Sequence, residues 1–506
     1  MSSSASAGAF KRTGTALALA GFVAMAMMDA RAAEPILSAA ISADVPSLDP
    51  IYDNSPVAAN VRFNLYEQLI EISKDGDVLP RLAASWEAGS DLKTWTFTIR
   101  NDVKFHNGQK LTAEDVAWTF EKILGEPKSP VRVYINKVTK VEKLDDVRVR
   151  FTLSQPYALF ARQTGFIAIL PKASYEALGP ERFSKEPIGS GPYKLLKWVK
   201  DDRLEFEAFA DYWGGQSAIK NVVLRPVPSE TARSSALLSG DLDIVPFLPP
   251  SQVQALSSRS GIKVEVAGGF KVIYLGFNVT AGPLGDEKLR LAIDHAINRD
   301  AITKTLLRGL GTPSGQIASP STFGFDPGIK PSAFDPTLAK KLLSESSYKG
   351  ERLVFQYPKS YIFSADEIAQ AIAGYLGAIG VNVDLQGMDY NAFFSLWASR
   401  KLPGIHMFSN GPLLLDADSP LTSLYESGNR GYWSDPAVDA LIRQQRGELD
   451  IAQRKATIRK IWEISQSKAV YSVLFNELQA VGVKSNIKWS PRPDGILRFK
   501  EISRSN

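Results

Sequence analysis

The sequence predicts an α/β protein of two lobes, and three observations carry that reading. Up to about residue 270 apolar residues alternate between turns, as in strands; beyond it they recur mostly at helical spacing; and the two regimes meet at Gly268-Gly269. A chain of 506 residues, 44% hydrophobic and 22% charged, is ordinary globular material of two or three domains.

Taken in order, the first element is a leader. Lys11-Arg12, an apolar run over 16–28 and Ala30-Arg31-Ala32 match a secretory signal peptide spanning 1–32. The run falls short of the roughly 20 residues that cross a bilayer, and no later stretch comes close, so the exported protein is expected to be soluble. Residues 93–124 change period midway: Trp95, Phe97 and Ile99 alternate, Val103 and Phe105 continue extended, and His106-Asn107-Gly108-Gln109 turns the chain. Thr112 and Asp115 then form a capping box, Leu111 staples onto Val116, and Val116, Phe120, Ile123 and Leu124 repeat as a helix. Strands follow over 148–153 and 203–208, and EPIGSGPY (186–193) is a turn feeding a strand over 193–199. Its glycines lack the Gly-Lys-Ser/Thr of a phosphate loop.

Past the paired glycines, KVIYLGFN (271–278) reads as a strand, and Leu289, Ala292, Ile293, Ala296 and Ile297 share one helical face. Helices are expected over 338–344, 366–379, 436–446 and 451–466, with strands over 353–357 and 381–385.

The formal charge of +5 falls to +3 without the leader, and its cations are scattered among 54 acidic residues, so no nucleic-acid partner is indicated. Cysteine is absent, which excludes disulfides, thiolate metal sites, a cysteine nucleophile and lipid attachment at a lipoprotein cysteine. Export without lipidation points to a Gram-negative periplasm. His106, His295 and His406 are far apart in sequence and form no metal-binding pair. Ser465-Gln466-Ser467-Lys468 matches SxxK, but its companion motifs are missing, and no GxSxG elbow occurs. Asp416 and Asp418, in GPLLLDADSP (411–420), fit neither a calcium loop nor a shared acid/base task, because residues two apart in an extended segment point to opposite faces. On the residues alone, an anchor for a ligand ammonium group and a solvated loop remain open.

Residues 79–116, LPRLAASWEAGSDLKTWTFTIRNDVKFHNGQKLTAEDV, closely resemble the extracellular solute-binding proteins of the peptide/nickel class of ABC importers, family 5, with their Ala-x-Ser-Trp, Phe-His-x-Gly and Ala-Glu-Asp-Val elements. PIGSGPY (187–193), Asp211-Tyr212-Trp213, GDLDI (240–244), YLGFN (274–278) and LRLAIDHAINR (289–299) continue the match, and 335–343, 376–385 and 432–439 extend it. The resemblance implies an α/β clamshell of the two-lobed periplasmic-binding-protein kind (class II, cluster C). Lobe I would take 33–270 with an inserted subdomain, lobe II 271–479, and 480–506 would return to lobe I. It implies no catalysis, cofactor or resident metal. It further implies a monomer that passes a small peptide or peptide-like solute to an inner-membrane ABC permease and its ATPase subunits. An opine, a glutathione-like compound, a sugar or a chelated metal is the alternative ligand.

By the same resemblance, an Asp four residues before a proline receives the ligand ammonium, which places that role on Asp416 before Pro420. Leu413 stands where peptide binders hold tryptophan, and Leu413, Leu414 and Leu415 would offer backbone to an extended ligand. Lys359 matches the cation for a ligand carboxylate, while Asn54 and Ser55 match polar contacts from lobe I. Tyr361, Phe393, Phe394, Trp397 and Tyr432 are candidates for side-chain pockets, and Asp418 receives no partner.

Overall fold

The computed structural model describes residues 36–505 apart from Ser360 and Leu413. The expected leader lies outside them, as does the assignment made to Leu413.

The 93–124 segment forms as its periodicities require. Strand Thr94–Ile99 alternates buried and half-buried, with Trp95, Phe97 and Ile99 inward. It pairs antiparallel with Ala83–Ala88 and Arg148–Leu153, and Val138–Lys143 completes a four-stranded sheet. Helix Ala113–Leu124 starts on the expected box: the Asp115 carboxylate accepts from the Thr112 backbone at 2.9 Å. Phe97, Phe120, Phe151 and Phe160 interlock beneath it at ring separations of 4.6–6.1 Å. The PIGSGPY turn packs hard against helix Pro56–Leu65. A Cβ on Gly189 would stand 1.9 Å from the Leu65 carbonyl oxygen, so no other residue fits there.

An eleven-stranded sheet holds most of the rest, apart from two short pairs, Ile70–Ile72 with Val78–Pro80 and Ile487–Lys488 with Ser503–Arg504. Val383–Met388, Leu353–Pro358 and Ile405–Asn410 lie at one end; Ile244–Val245, Leu37–Ile41, Asn221–Pro226, Arg203–Ala208 and Tyr193–Val199 lie at the other. Between them run two long antiparallel strands, Ile262–Phe277 and Tyr471–Lys484, and Gly311–Pro313 pairs beside the second. The expected strand at 271–278 therefore begins nine residues earlier, at Ile262. Gly268-Gly269 does not separate elements; it marks a slip in register within that strand, between Gly268 and Val272. A Cβ on Gly269 would meet the Glu477 carbonyl oxygen at 2.6 Å, so the glycine allows the two strands to cross closely.

The apolar core follows this layout. One cluster fills the first lobe, including Phe97, Phe151, Leu204 and Leu224; the second lobe holds one cluster on each face of its sheet, around Phe355 and Ile372 and around Phe408 and Trp462. The expected helices appear as Glu287–Ala296, Pro336–Ser344, Ala365–Ile379, Pro436–Arg446 and Ile451–Ser467. Phe270, Leu414 and Leu415 belong to the first lobe's cluster, so chain from beyond residue 270 is built into it.

Candidate functional site

Strands Leu353–Pro358 and Val383–Met388 run parallel, as do Leu353–Pro358 and Ile405–Asn410. Ligands in open α/β sheets gather beyond the carboxyl ends of such strands. Here those ends deliver Tyr361, Tyr390, Ser409 and Asn410, and the two crossing strands add Lys271 and Glu477. Lys271 Nζ stands 4.6 Å over the Tyr361 ring and 3.8 Å from Glu477 Oε2, with a quarter of its side chain exposed. Ser409 donates to the Tyr361 hydroxyl at 3.2 Å, and Tyr361 packs on Tyr390 at 4.7 Å. Burial would lower the Lys271 ammonium, but Glu477, Tyr361 and Tyr390 outweigh it and hold its pKa above the ordinary lysine value.

Val272 pairs with Asn410 on one side and Asn476 on the other. Both Asn410 Oδ1 and Asn476 Oδ1 are buried without a partner among the described residues. Buried acceptors left unmade are costly and favour an incoming donor.

Asp416 is placed differently from the expected ammonium anchor. Its carboxylate is 4% exposed and takes both guanidinium arms of Arg454, at 2.9 and 2.5 Å, with Arg162 Nε at 3.3 Å. Asp416 Oδ1 also accepts from the Asp418 backbone at 2.9 Å. Burial would raise this carboxyl, yet Arg454 and Arg162 hold it below the usual carboxylate range. With four donors on its two oxygens, the carboxylate has no lone pair left for a third cation. Asp418, expected to lack a partner, is buried too: it accepts from Gln445 at 2.6 Å, Arg446 at 2.8 Å and Tyr157 at 3.3 Å.

The backbone expected to pair with a ligand is also engaged. Leu414 O accepts from Arg162 at 2.7 Å, Leu415 O from Phe323 at 2.8 Å, and Leu415 N donates to Pro412 O at 2.9 Å. Leu415 holds a left-handed φ of 49°, which breaks any extended edge. Ser55 caps helix Pro56–Leu65, its hydroxyl accepting from Ala58 N at 3.2 Å, and the Asn54 amide donates to Pro130 O at 3.3 Å. The Ser55 contact is local helix capping, and the Asn54 contact ties this turn to the start of the segment at Pro130. Lys359 is exposed, its side chain drawn across Gly387. Tyr432 is 6% exposed, and its hydroxyl accepts from Leu402 N at 2.7 Å; Phe393 is wholly buried. Tyr361, Phe394 and Trp397 come together, with Phe394 5.6 Å from Trp397.

Sequence reasoning missed Lys271, Glu477, Tyr390, Arg162 and Arg454. Arg454 left a signal: it falls in the buried stripe with Thr457, Ile458, Ile461, Trp462 and Ser465, and an arginine on a core face needs an acid. A cavity of about 550 Å³ lies behind the Asp416 cluster, lined by Trp86, Trp95, Phe323, Leu449, Arg162 and Arg454.

The catalytic motifs dissolve. The Ser465 hydroxyl bonds Tyr425 OH at 2.8 Å, while Lys468 pairs with Asp435 at 3.2 Å. His106 sits between Gly189 and Gly191, and His406 is buried; no group of three metal-binding side chains occurs among the described residues.

Comparison with known proteins agrees with this architecture. The family model described as bacterial extracellular solute-binding proteins, family 5 Middle, matches residues 77–432. The dipeptide-binding protein of Escherichia coli K12 is 29% identical over 483 residues, covering 87% of this chain and 89% of that protein. Glutathione-binding protein GsiB of Pectobacterium atrosepticum is 26% identical over 501 residues, covering 95% and 97%. Among solved structures, the ABC transporter substrate-binding protein CtaP of Listeria monocytogenes shares the two-lobed fold, with a TM-score of 0.85 over 94% of this chain and 100% of that one at 24% identity.

Proposed function

We propose a function that starts from kinship: the chain belongs to the bacterial extracellular solute-binding proteins of family 5, and it captures a small peptide or peptide-like solute between its lobes for an ABC permease. One observation carries the reading of the site. At the carboxyl ends of the second lobe's strands, an ion pair stretched to 3.8 Å and the orphaned Asn476 oxygen lie on the strands that join the lobes, and the orphaned Asn410 oxygen lies on the strand beside them.

In this reading Glu477 takes the ligand ammonium, displacing part of its contact with Lys271, and Asn410 and Asn476 accept peptide N–H groups. Lys271 keeps the local charge balanced. Asp416 is part of the wall, since its arginines already neutralise it. Ligand touching both lobes favours the closed arrangement by its differential contacts, and the permease reads that state. The protein binds and releases without making or breaking a bond. It works as a periplasmic monomer freed of its leader, delivering to a permease driven by ATPase subunits.

The likeness to GsiB supports a second reading, a glutathione-like tripeptide on the same anchors. Mass spectrometry of ligand released from gently purified protein tests both. A retained peptide or thiol tripeptide is the expected result. Turnover of peptide or ester libraries by the purified protein overturns the function.

A further inference from the structure

The side chains beside the Lys271–Glu477 pair form an ordered row. Helix Tyr390–Ala398 carries Tyr390, Phe394 and Trp397 at i, i+4 and i+7, one face of the helix. Tyr361 lies 4.7 Å from Tyr390, Tyr390 stacks on Phe394 at 5.8 Å and 25°, and Phe394 lies 5.6 Å from Trp397. Each end is closed by a cation. Lys271 Nζ stands 4.6 Å above Tyr361, and Arg430 Cζ stands 4.9 Å from the Trp397 centroid and 5.9 Å from that of Phe394.

A bland account makes these rings ordinary core; it holds for Trp397, which is 4% exposed, but not for the other three. Phe393, on the same helix, is wholly enclosed, whereas Tyr361, Tyr390 and Phe394 remain half-buried and contact one another. Half-exposed stacked rings offer faces and edges to another flat group, an arrangement that stabilises beyond area burial. The cations differ as well. Lys271 has Glu477, while Arg430 is exposed and engages no carboxylate among the described residues. Its planar fork suits a carboxylate gripped at two points.

We propose that this row sets ligand choice: it receives an aromatic side chain of a short peptide, while Arg430 binds the peptide's terminal carboxylate and Glu477 its ammonium. The proposal rests on the peptide reading above and names the peptide's chemistry. With Glu477 at one end and Arg430 at the other, four rings separate the two charges. A tripeptide, at about 3.5 Å per residue, places its charged ends about 10 Å apart and is the length chosen for the test.

Isothermal titration calorimetry with Ala-Phe-Ala, Ala-Ala-Ala and the C-terminal amide of Ala-Phe-Ala tests it. The wild-type protein is expected to bind Ala-Phe-Ala at least tenfold more tightly than either of the others. Phe394→Ala is expected to erase the preference for phenylalanine and keep the preference for the free acid; Arg430→Gln is expected to do the reverse. Equal wild-type affinity for the first two peptides, or preferences that survive both substitutions, overturns the assignment while leaving the peptide reading intact. Binding of none of the three peptides by wild-type protein overturns the peptide reading and the assignment with it.

Discussion

Asp416 and Glu477 both stand where the lobes meet, yet their surroundings differ. Asp416 is enclosed by three guanidinium contacts from two arginines and a backbone N–H, and its neighbours Leu414 and Leu415 have spent their carbonyls. Glu477 has one lysine at 3.8 Å, with one unpartnered amide oxygen on the adjacent Asn476 and another on Asn410, two strands over. A buried charge already satisfied resists exchange, because a ligand must first free it at the cost of leaving arginines unpaired. An underserved charge gains from the ligand. The first carboxylate is thus held as structure, and the second is the one free to take the proposed ligand.

The largest effect tests the Asp416 side. Asp416→Ala leaves Arg454 and Arg162 buried without their acid and is expected to destabilise the fold by about 3–5 kcal/mol, read from urea denaturation. Ligand preference should survive in the folded fraction. Retained stability with lost binding would reverse the two roles. The same contrast has a pH form. The Asp416 carboxyl is depressed by its arginines, so its contribution is complete above the unfolded value near 3.9 and is lost only as pH falls through the lower folded value. The Lys271 pKa is raised, so its contribution holds below the unfolded value near 10.4 and is lost as pH rises through the folded one. Acid thus attacks the Asp416 wall and alkali the Lys271 pair, a difference that denaturation across pH resolves in variants lacking each group.

Next comes Glu477→Gln, which keeps shape and removes charge. Losing a charge-assisted bond to the ligand ammonium should weaken an amine-bearing peptide by about 1.5–3 kcal/mol in calorimetry. An N-acetylated peptide should bind wild type and variant alike. Unchanged affinity for the free-amine peptide would remove Glu477 from the site. Ser55→Ala is expected to cost about 1 kcal/mol of stability by removing the cap, with no change in affinity. A loss of binding without loss of stability would restore Ser55 as a ligand contact.

The sequence disclosed what nearby residues decide. The Thr112/Asp115 box, the alternation over Trp95, Phe97 and Ile99, and the bounds of Pro436–Arg446 depend on neighbours a few positions apart, and they were legible. The strand through Gly268-Gly269 was not, because its extension comes from pairing with residues over two hundred positions later. The surroundings of Asp416 were not legible for the same reason. Arg162 meets Leu414 across 252 positions, and no local pattern around GPLLLDADSP announces that an arginine will occupy its carbonyl. Of the aromatics, Tyr361 and Trp397 were singled out by type, and only the fold distinguishes them from Tyr432, whose hydroxyl is consumed by Leu402.

The smallest effect completes the comparison with a cation. Lys359 was expected to hold a ligand carboxylate, and it lies on an exposed strand end across Gly387. A solvated ammonium gains little from an anion, since water serves it well and its long side chain loses freedom on pairing. Lys359→Ala should therefore change both stability and peptide affinity by under about 0.5 kcal/mol. Arg430, exposed as well, differs in standing 4.9 Å over the Trp397 ring, a contact that narrows its freedom before a ligand arrives. Calorimetry of the two variants side by side separates these cases: a larger loss from Lys359→Ala than from Arg430→Gln would move the carboxylate to Lys359 and make preorganisation by the aromatic row irrelevant.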